Sequence, residues 1–584
     1  MCNDKKIEEL IEKYALLNAY LHNGKAKPEK VLGKVLGEAP EYREKVKDVL
    51  EKVKIKVEEI NRLTIDEQKK MLEKRWPELL VGKKAEEEKR LPPLPNVEKY
   101  GKVVTRFSPN PDCVLHLGSA RAAILSWFYA KKIYNGEFYL RFEDTDPRFK
   151  RPSLEFYDLI REDLIWLGCK WDKEFIQSDR LEIYYSYAER LIKNGFAYVC
   201  TCKPEDFRVK VLAGKPCLCR SLPVEEHLLR WDKMLEGKFD EGDAVVRIKT
   251  ELNHPNPAIR DWPALRIIDT GKYPHPRVGD KYIVWPLYNF SCGLDDYLLG
   301  ITHIIRGKEH LTNELRQHYL YKYLGWDYPE AIHYGRLKIT NTILSKSKIR
   351  LGVEKGIYEG YGDPRLATLI ALRRRGFKPE AIVNLMIEVG VKPVDVTISW
   401  ENLYAINRKL VDKEANRYFF VSNPILLEIS RLNLDKEFNI KLHLHPDDPG
   451  RGFRELKIRL HNGEARLYIS KEDLNLLQPG KIIRLMGFVN IKIEEISENN
   501  IVKAIFHSES YDDAKKLKAP LIHYLPTEGN YPAKIIMPNG LKVEGLAEPS
   551  IKNVKIGEII QFERFGFVKV EHINSEIFAL FTHH

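Results

Sequence analysis

A short apolar strand, Val103–Phe107, runs into Ser108-Pro109-Asn110-Pro111 and then into His116-Leu117-Gly118-Ser119, which opens a helix-spaced apolar segment, Ala120–Tyr134. A second apolar run, Phe138–Phe142, follows and ends in Glu143-Asp144-Thr145-Asp146. Strand, helix and strand in this order form a βαβ unit. Two parallel strands need a crossover longer than a hairpin, so the unit dictates a parallel sheet. The fold class is therefore α/β, a doubly wound parallel sheet of the Rossmann type.

The turn between the first strand and the helix suits a phosphate. Two prolines fix the approach of the chain, and Gly118 lets a ligand come close to the backbone. The N–H groups at the helix N-terminus attract anions. His116 adds a donor for charge that develops on a phosphate. Alone, a His-x-Gly turn equally suits a βα corner with a solvent-facing histidine. Far downstream, Leu344-Ser345-Lys346-Ser347 lies between Arg336-Leu337-Lys338 and Lys348-Ile349-Arg350. A lysine there is a point charge on a flexible stem and could neutralise a leaving pyrophosphate. By itself the segment also reads as a solvated basic loop.

At 584 residues the chain is too long for one core, and roughly three to five domains are expected. Its 95 basic and 84 acidic residues give a net charge of +11, which permits a nucleic-acid partner without requiring one. No apolar run approaches the roughly 18 residues of a membrane span. The polar start, Met1–Lys6, shows no signal-peptide pattern. A cytoplasmic protein with no membrane partner is expected.

Residues 1 to about 82 read as helical, from Ile7, Leu10, Ile11 and Tyr14 and from a capping box, Thr64 with Glu67. A charged, Pro-rich stretch, Lys83–Pro95, reads as a linker that does not pack, which closes a helical extension over 1–98. The sheet domain follows in two halves, 99–195 and 291–416, split by a region of different texture at 196–290. The second half reads as mostly helical from near Asp296 past Lys346, and includes the Arg373-Arg374-Arg375 run. Alternation around Asn462-Gly463 and Asn539-Gly540 marks hairpins, so 417–584 is expected to be all-β, in one or two barrels.

Four of the 8 cysteines fall in Cys200-x-Cys202 and Cys217-x-Cys219, separated by 14 residues. Two close thiolate pairs joined by a loop can close a tetrahedral S4 site, which suits structural Zn²⁺ because no ligand position is left open. Buried thiols or redox pairs remain the alternative. Cys2, Cys113, Cys169 and Cys292 have no such partners and read as small apolar or exposed residues.

Arg106-Phe-Ser-Pro-Asn-Pro, His116-Leu-Gly-Ser-Ala-Arg121 and Arg141-Phe-Glu-Asp-Thr-Asp-Pro147 resemble motifs of the glutamyl-tRNA synthetases, class I enzymes of subclass Ib. So do Asp295–His310, Leu344–Ser347 and Gly557–Phe567, and the likeness runs from about 99 to the end. The β-rich C-terminus is similar to the archaeal and eukaryotic branch, since the bacterial enzymes carry helices there. The resemblance implies ATP-dependent ligation of L-glutamate to tRNA-Glu, with Mg²⁺, and leaves open whether tRNA-Gln is also charged.

It implies His116 and Lys346 as catalytic residues, with Pro109, Gly118, Ser119 and Ser345 beside them around ATP. It places Arg106 and Arg306 as charges for glutamate, Arg306 on the side-chain carboxylate. Glu143 would hold the α-ammonium, and Ser108 and Tyr288 would complete the pocket. Tyr288 reads equally well as core, and Glu143 or Arg306 could pair with buried charges instead. The insertion at 196–290 would bind the acceptor stem and 417–584 the anticodon. A monomer is expected. Two positions depart from the family motifs: Ser119 stands for the second His of HIGH, and Ile343 for the first Lys of KMSKS. Glutaminyl-tRNA synthetase, a non-catalytic tRNA-binding paralogue and a truncated enzyme that modifies tRNA with glutamate are the competing readings.

Overall fold

The computed structural model describes residues 2–21, 24–39, 42, 45–76, 91–432 and 437–584. The chain divides into two compact units, Met1–Arg90 and Leu91–His584. In the first, helices α1 (Cys2–Leu21), α2 (Pro28–Glu38), α3 (Val46–Asn61) and α4 (Ile65–Arg75) pack around Ile11, Leu16, Val53 and Leu72. The capping box at the head of α4 forms as the sequence suggests: Glu67 N–H donates to Thr64 Oγ1, and Thr64 N–H donates to Glu67 Oε2 at 2.8 Å. Most of the expected linker lies outside the described residues. Its last part does pack, because Leu91 and Leu94 are buried against Leu125, Tyr129 and Ile305 of the second unit.

The second unit begins with β1 (Val104–Phe107), α5 (Leu117–Trp127), β2 (Glu137–Phe142), α6 (Leu154–Trp166) and β3 (Lys173–Ile176). These give a three-stranded parallel sheet in the order β1-β2-β3. The helix read over Ala120–Tyr134 is α only to Trp127 and widens to a π-helix over Phe128–Ile133. An antiparallel sheet then intervenes, β4 (Ala197–Cys200), β5 (Val245–Ile248), β6 (Pro263–Ile267) and β7 (Val284–Pro286). After α7 (Tyr288–Leu298), β8 (His303–Gly307) pairs in parallel with β9 (Glu330–Tyr334).

These last two strands interrupt the region read as helical. They are short, and α8 (Leu311–Leu324) between them dominates the pattern. Thr302, just before β8, donates its N–H to Val104 O at 2.9 Å and accepts the Val104 N–H on its hydroxyl. The strand order is therefore β3-β2-β1-β8-β9, and it reverses direction between β1 and β8. In a doubly wound sheet such a reversal opens a crevice at the carboxyl ends of the strands, where ligands bind.

Beyond residue 415 two sheets of seven and nine strands form, with one short helix, Tyr511–Lys516. Asn462-Gly463 makes a two-residue hairpin turn with both φ positive, +54° and +79°, as the twist of paired strands favours. At Asn539-Gly540 only the glycine has positive φ, and the loop is longer. The arginine run lies at the end of a helix, Leu369–Arg374, and serves this region. Arg374 forks onto Glu571 at 2.6 and 2.7 Å, and buried Arg375 donates to the carbonyls of Phe581 and Thr582. Two of the three charges are thus spent inside the protein. No helix among the described residues is long and apolar enough to cross a membrane.

Candidate active site

A cleft of about 950 Å³ opens at the reversal between β1 and β8. Arg106, Ser108 and Pro109 line it from the end of β1, and Glu143 from the end of β2. His116, Gly118 and Ser119 line it from the head of α5, Tyr288 from the head of α7, and Arg306 from β8. Lys346 reaches it from the start of α9 (Lys346–Glu354), which makes that residue the first of a helix rather than part of a free loop. Residues far apart in sequence thus converge on one crevice. Ser345 is not among the lining residues; it stands at the N-cap position of α9 without a side-chain capping bond, its Oγ 3.2 Å from that of Ser347.

The phosphate side is ordered by His116. The Ser119 N–H donates to His116 Nδ1 at 3.1 Å, and the Ser119 hydroxyl accepts the His116 N–H at 2.9 Å. Nδ1 is therefore an acceptor, so the neutral ring carries its proton on Nε2 as a donor for a ligand. Burial, reinforced by Lys346, lowers the His116 pKa to about 4 and keeps the ring neutral near pH 7. A Cβ on Gly118 would stand 3.1 Å from the His116 ring, so glycine keeps the histidine's place. Ser119, the substituted motif position, closes this cap. Across the cleft, Lys346 Nζ donates to Asn110 O at 2.9 Å and pairs with Asp112 at 3.2 Å, which tethers it beside the Pro-Asn-Pro turn.

The other side holds two buried arginines. Arg106 faces Asp296 through Nε at 3.0 Å and Nη2 at 3.3 Å. Arg141 shares the same carboxylate at 2.8 Å and reaches Glu143 at 3.2 Å. Burial pushes Asp296 up, but the two arginines outweigh it and hold the carboxyl at about 2. Glu143 also accepts a hydrogen bond from the Cys292 thiol at 2.7 Å, and that thiol stays protonated because burial and the neighbouring carboxylate raise its pKa.

Arg306 is 5% exposed, yet its bonded partners are all neutral: His333 to Nε at 3.2 Å, Gln317 to Nη1 at 3.2 Å and Tyr328 to Nη2 at 2.9 Å. Among the described residues no carboxylate forms an ion pair with it, although Asp296 and Glu314 act on it at longer range. A buried cation without a counter-ion is costly, and a cleft that holds one is prepared for an anion. Ser108 Oγ and Asn289 Oδ1, which also line the cleft, are buried without a hydrogen-bond partner.

Sequence reasoning missed Cys292, Asp296, Arg141 and the three partners of Arg306. Only the acidic pair Asp295-Asp296 and the Arg141-Phe-Glu143 spacing hinted at some of them. The cysteines also converge. Cys200 and Cys217 Sγ lie 3.9 Å apart, and Cys202 and Cys219 Sγ 3.6 Å apart. Cys200, Cys202 and Cys219 Sγ fall within 4.8 Å of one another. Tetrahedral ligands on zinc–sulfur bonds of ~2.3 Å stand about 3.8 Å apart, so the two cross-pair spacings fit such an ion, whereas Cys217 falls outside the close group of three.

Three family models span nearly the whole second unit. The description "tRNA synthetases class I (E and Q), catalytic domain" matches residues 102–413, and two anticodon-binding models of the same family match 415–509 and 509–571. The glutamate–tRNA ligase of Pyrococcus furiosus is 55% identical over 99% of this chain and 100% of its own length. That of Pyrococcus abyssi is 56% identical over the same shares. A crystal structure of a glutamate tRNA ligase from Elizabethkingia meningosepticum in complex with its amino acid is similar at 25% identity. It covers 54% of this chain and 70% of that one, with a TM-score of 0.39. The chain belongs to the class I tRNA synthetases for glutamate and glutamine, and within them to the glutamate–tRNA ligases.

Proposed function

We infer that this chain ligates L-glutamate to tRNA-Glu through a glutamyl-adenylate. The observation that carries the reading is Arg306, a buried guanidinium with only neutral partners in the same cleft as His116 and Lys346. An unpaired cation favours a carboxylate over the neutral amide of glutamine, because the amide would leave it uncompensated. Glu143 holds the α-ammonium, while Ser108 and Tyr288 add hydrogen bonds. Arg106 takes part through Nη1, its nitrogen not engaged by Asp296.

In the first step the α-carboxylate oxygen attacks the α-phosphorus of ATP. The new P–O bond forms as the bond to the β-phosphate oxygen breaks and pyrophosphate leaves. His116 donates from Nε2 to the α-phosphate oxygens, and Lys346 follows the charge of the pyrophosphate; both act by position and charge. Pro109, Gly118 and Ser119 hold the backbone that faces the nucleotide, and Ser345, just outside the cleft, precedes Lys346 at the head of α9. Mg²⁺, carried by ATP, would screen the phosphates. In the second step the 2′-hydroxyl of the terminal adenosine attacks the activated carbonyl and AMP leaves. Bound tRNA is required for the first step.

The sheet β4–β7 with its surroundings, 196–290, binds the acceptor stem, and 417–584 bind the anticodon. Cys200, Cys202, Cys217 and Cys219 hold a structural Zn²⁺, for which their spacing is the support. Zinc quantification on Cys200→Ser tests that site, and unchanged content refutes it. A cytoplasmic location follows the family reading, and one copy supplies the whole cleft, which supports a monomer, checked by sedimentation. The deciding experiment is aminoacylation of purified tRNA-Glu and tRNA-Gln with each amino acid. Glutamate charging of tRNA-Glu is expected, with charging of tRNA-Gln by glutamate the open second activity. Strong glutamine charging without glutamate charging sinks the reading.

A further inference from the structure

Arg306 can only donate hydrogen bonds, so the His333 Nε2 that receives its Nε–H must be a lone pair. The ring is then neutral and protonated on Nδ1, and Nδ1 lies 3.4 Å from Glu314 Oε2. The other Glu314 oxygen faces His318 Nε2 at 3.7 Å. The elements thus form a chain, Glu314–His333–Arg306, that runs from α8 through β9 to β8 and ends at the cleft.

We propose that His333 and Glu314 are positioning residues for glutamate recognition: Glu314 fixes the Nδ1–H tautomer of His333, and His333 fixes the guanidinium of Arg306 so that its remaining N–H groups face the amino acid. This rests on the reading of Arg306 as the partner of the glutamate side chain. Protonation of His333 would place a donor against a donor and a second cation beside Arg306. The charged and titratable groups facing His333 are Arg306 on β8, Glu314 on α8, Glu309 and His310 between them, and Arg106 on β1. Burial first, then Arg306, lowers the His333 pKa below its ordinary value, so the relay stays intact at neutral pH.

The test measures tRNA-dependent glutamate activation for His333→Leu, His333→Gln and Arg306→Gln, with folding checked by thermal melting. A glutamine side chain can accept from Arg306 and donate to Glu314, so it can rescue the relay. His333→Leu is expected to raise KM for glutamate about tenfold, with kcat and KM for ATP within about twofold, while His333→Gln stays within about threefold of the wild type. Wild-type KM for glutamate should hold steady through neutral pH and rise only in acid, a rise absent in His333→Gln. The proposal is overturned if His333→Gln fails as badly as His333→Leu, or if ATP and glutamate KM rise together. It also fails if KM does not move. Arg306→Gln separates the two levels: unchanged glutamate KM there refutes the pocket reading itself, whereas a raised KM beside a silent His333→Leu refutes only the relay.

Discussion

Two arginines sit on neighbouring strands of one sheet, both nearly inaccessible to water, and the protein treats them in opposite ways. Arg106 on β1 is locked to Asp296, which Arg141 also holds. Arg306 on β8 is hydrogen-bonded to His333, Gln317 and Tyr328, none of them charged. The first arrangement is complete within the protein. The second lacks one negative charge, and a cleft wall is where a ligand can bring it. Burial alone therefore does not distinguish a charge compensated within the protein from one that waits for an anion; the identity of the partner does.

The comparison breaks most sharply at Asp296. Replacing it with Asn leaves Arg106 and Arg141 buried without their carboxylate, and about 3–5 kcal/mol of folding stability should be lost. A denaturant titration that shows less than about 1 kcal/mol would mean that water or Glu143 already compensates these arginines.

Lys346 is the intermediate case, paired with Asp112 but partly open to solvent, with side-chain exposures of 23% and 19%. Lys346→Ala should cost no more than about 1 kcal/mol of stability. Loss of a charge that acts only on the transition state should slow pyrophosphate exchange by about 10²–10³. A large fall in melting temperature with little change in rate would reverse this assignment.

Acid separates the two arginines more gently. Asp296 has a folded pKa of about 2, below that of an unfolded carboxyl, so its contribution is complete above the unfolded value and fades as pH falls through the folded one. Roughly 2–3 kcal/mol is at stake in that window. His116, depressed to about 4, works in the same direction over a higher window: as pH drops from about 6.5 toward 4 the unfolded chain gains a proton that the folded one resists. This costs about 1.4 kcal/mol per pH unit for that group. The activation rate should show no inflection from His116 between about pH 6 and 8; one found there, and removed by His116→Asn, would contradict its burial.

What the sequence revealed and what it hid follow the same physics. The βαβ unit, the His116 turn, the Thr64 cap and the two cysteine pairs are local, and each is written in a spacing of a few residues. Strands β8 and β9 escaped notice because each has five residues and a helix lies between them. Asp296 could not be matched with Arg106 in advance, since 190 residues separate them. The basic run ending at Arg375 holds the last strands, which the sequence could not show because charge in a sequence carries no sign of burial. Cys292 looked like a small apolar residue, and only the fold brings its thiol to Glu143.

The account stands or falls on Arg306 as the charge that selects glutamate. The direct measurement is kcat/KM for glutamate and for glutamine, with tRNA-Glu present, in the wild type and in Arg306→Met, together with the melting temperature of each. The variant should lose about 10²-fold or more on glutamate, leave glutamine unchanged or improved, and melt no lower than the wild type, since an uncompensated buried cation has been removed. A variant that keeps its preference for glutamate, or that loses activity only because it unfolds, would show that Arg306 holds the fold and does not select the amino acid.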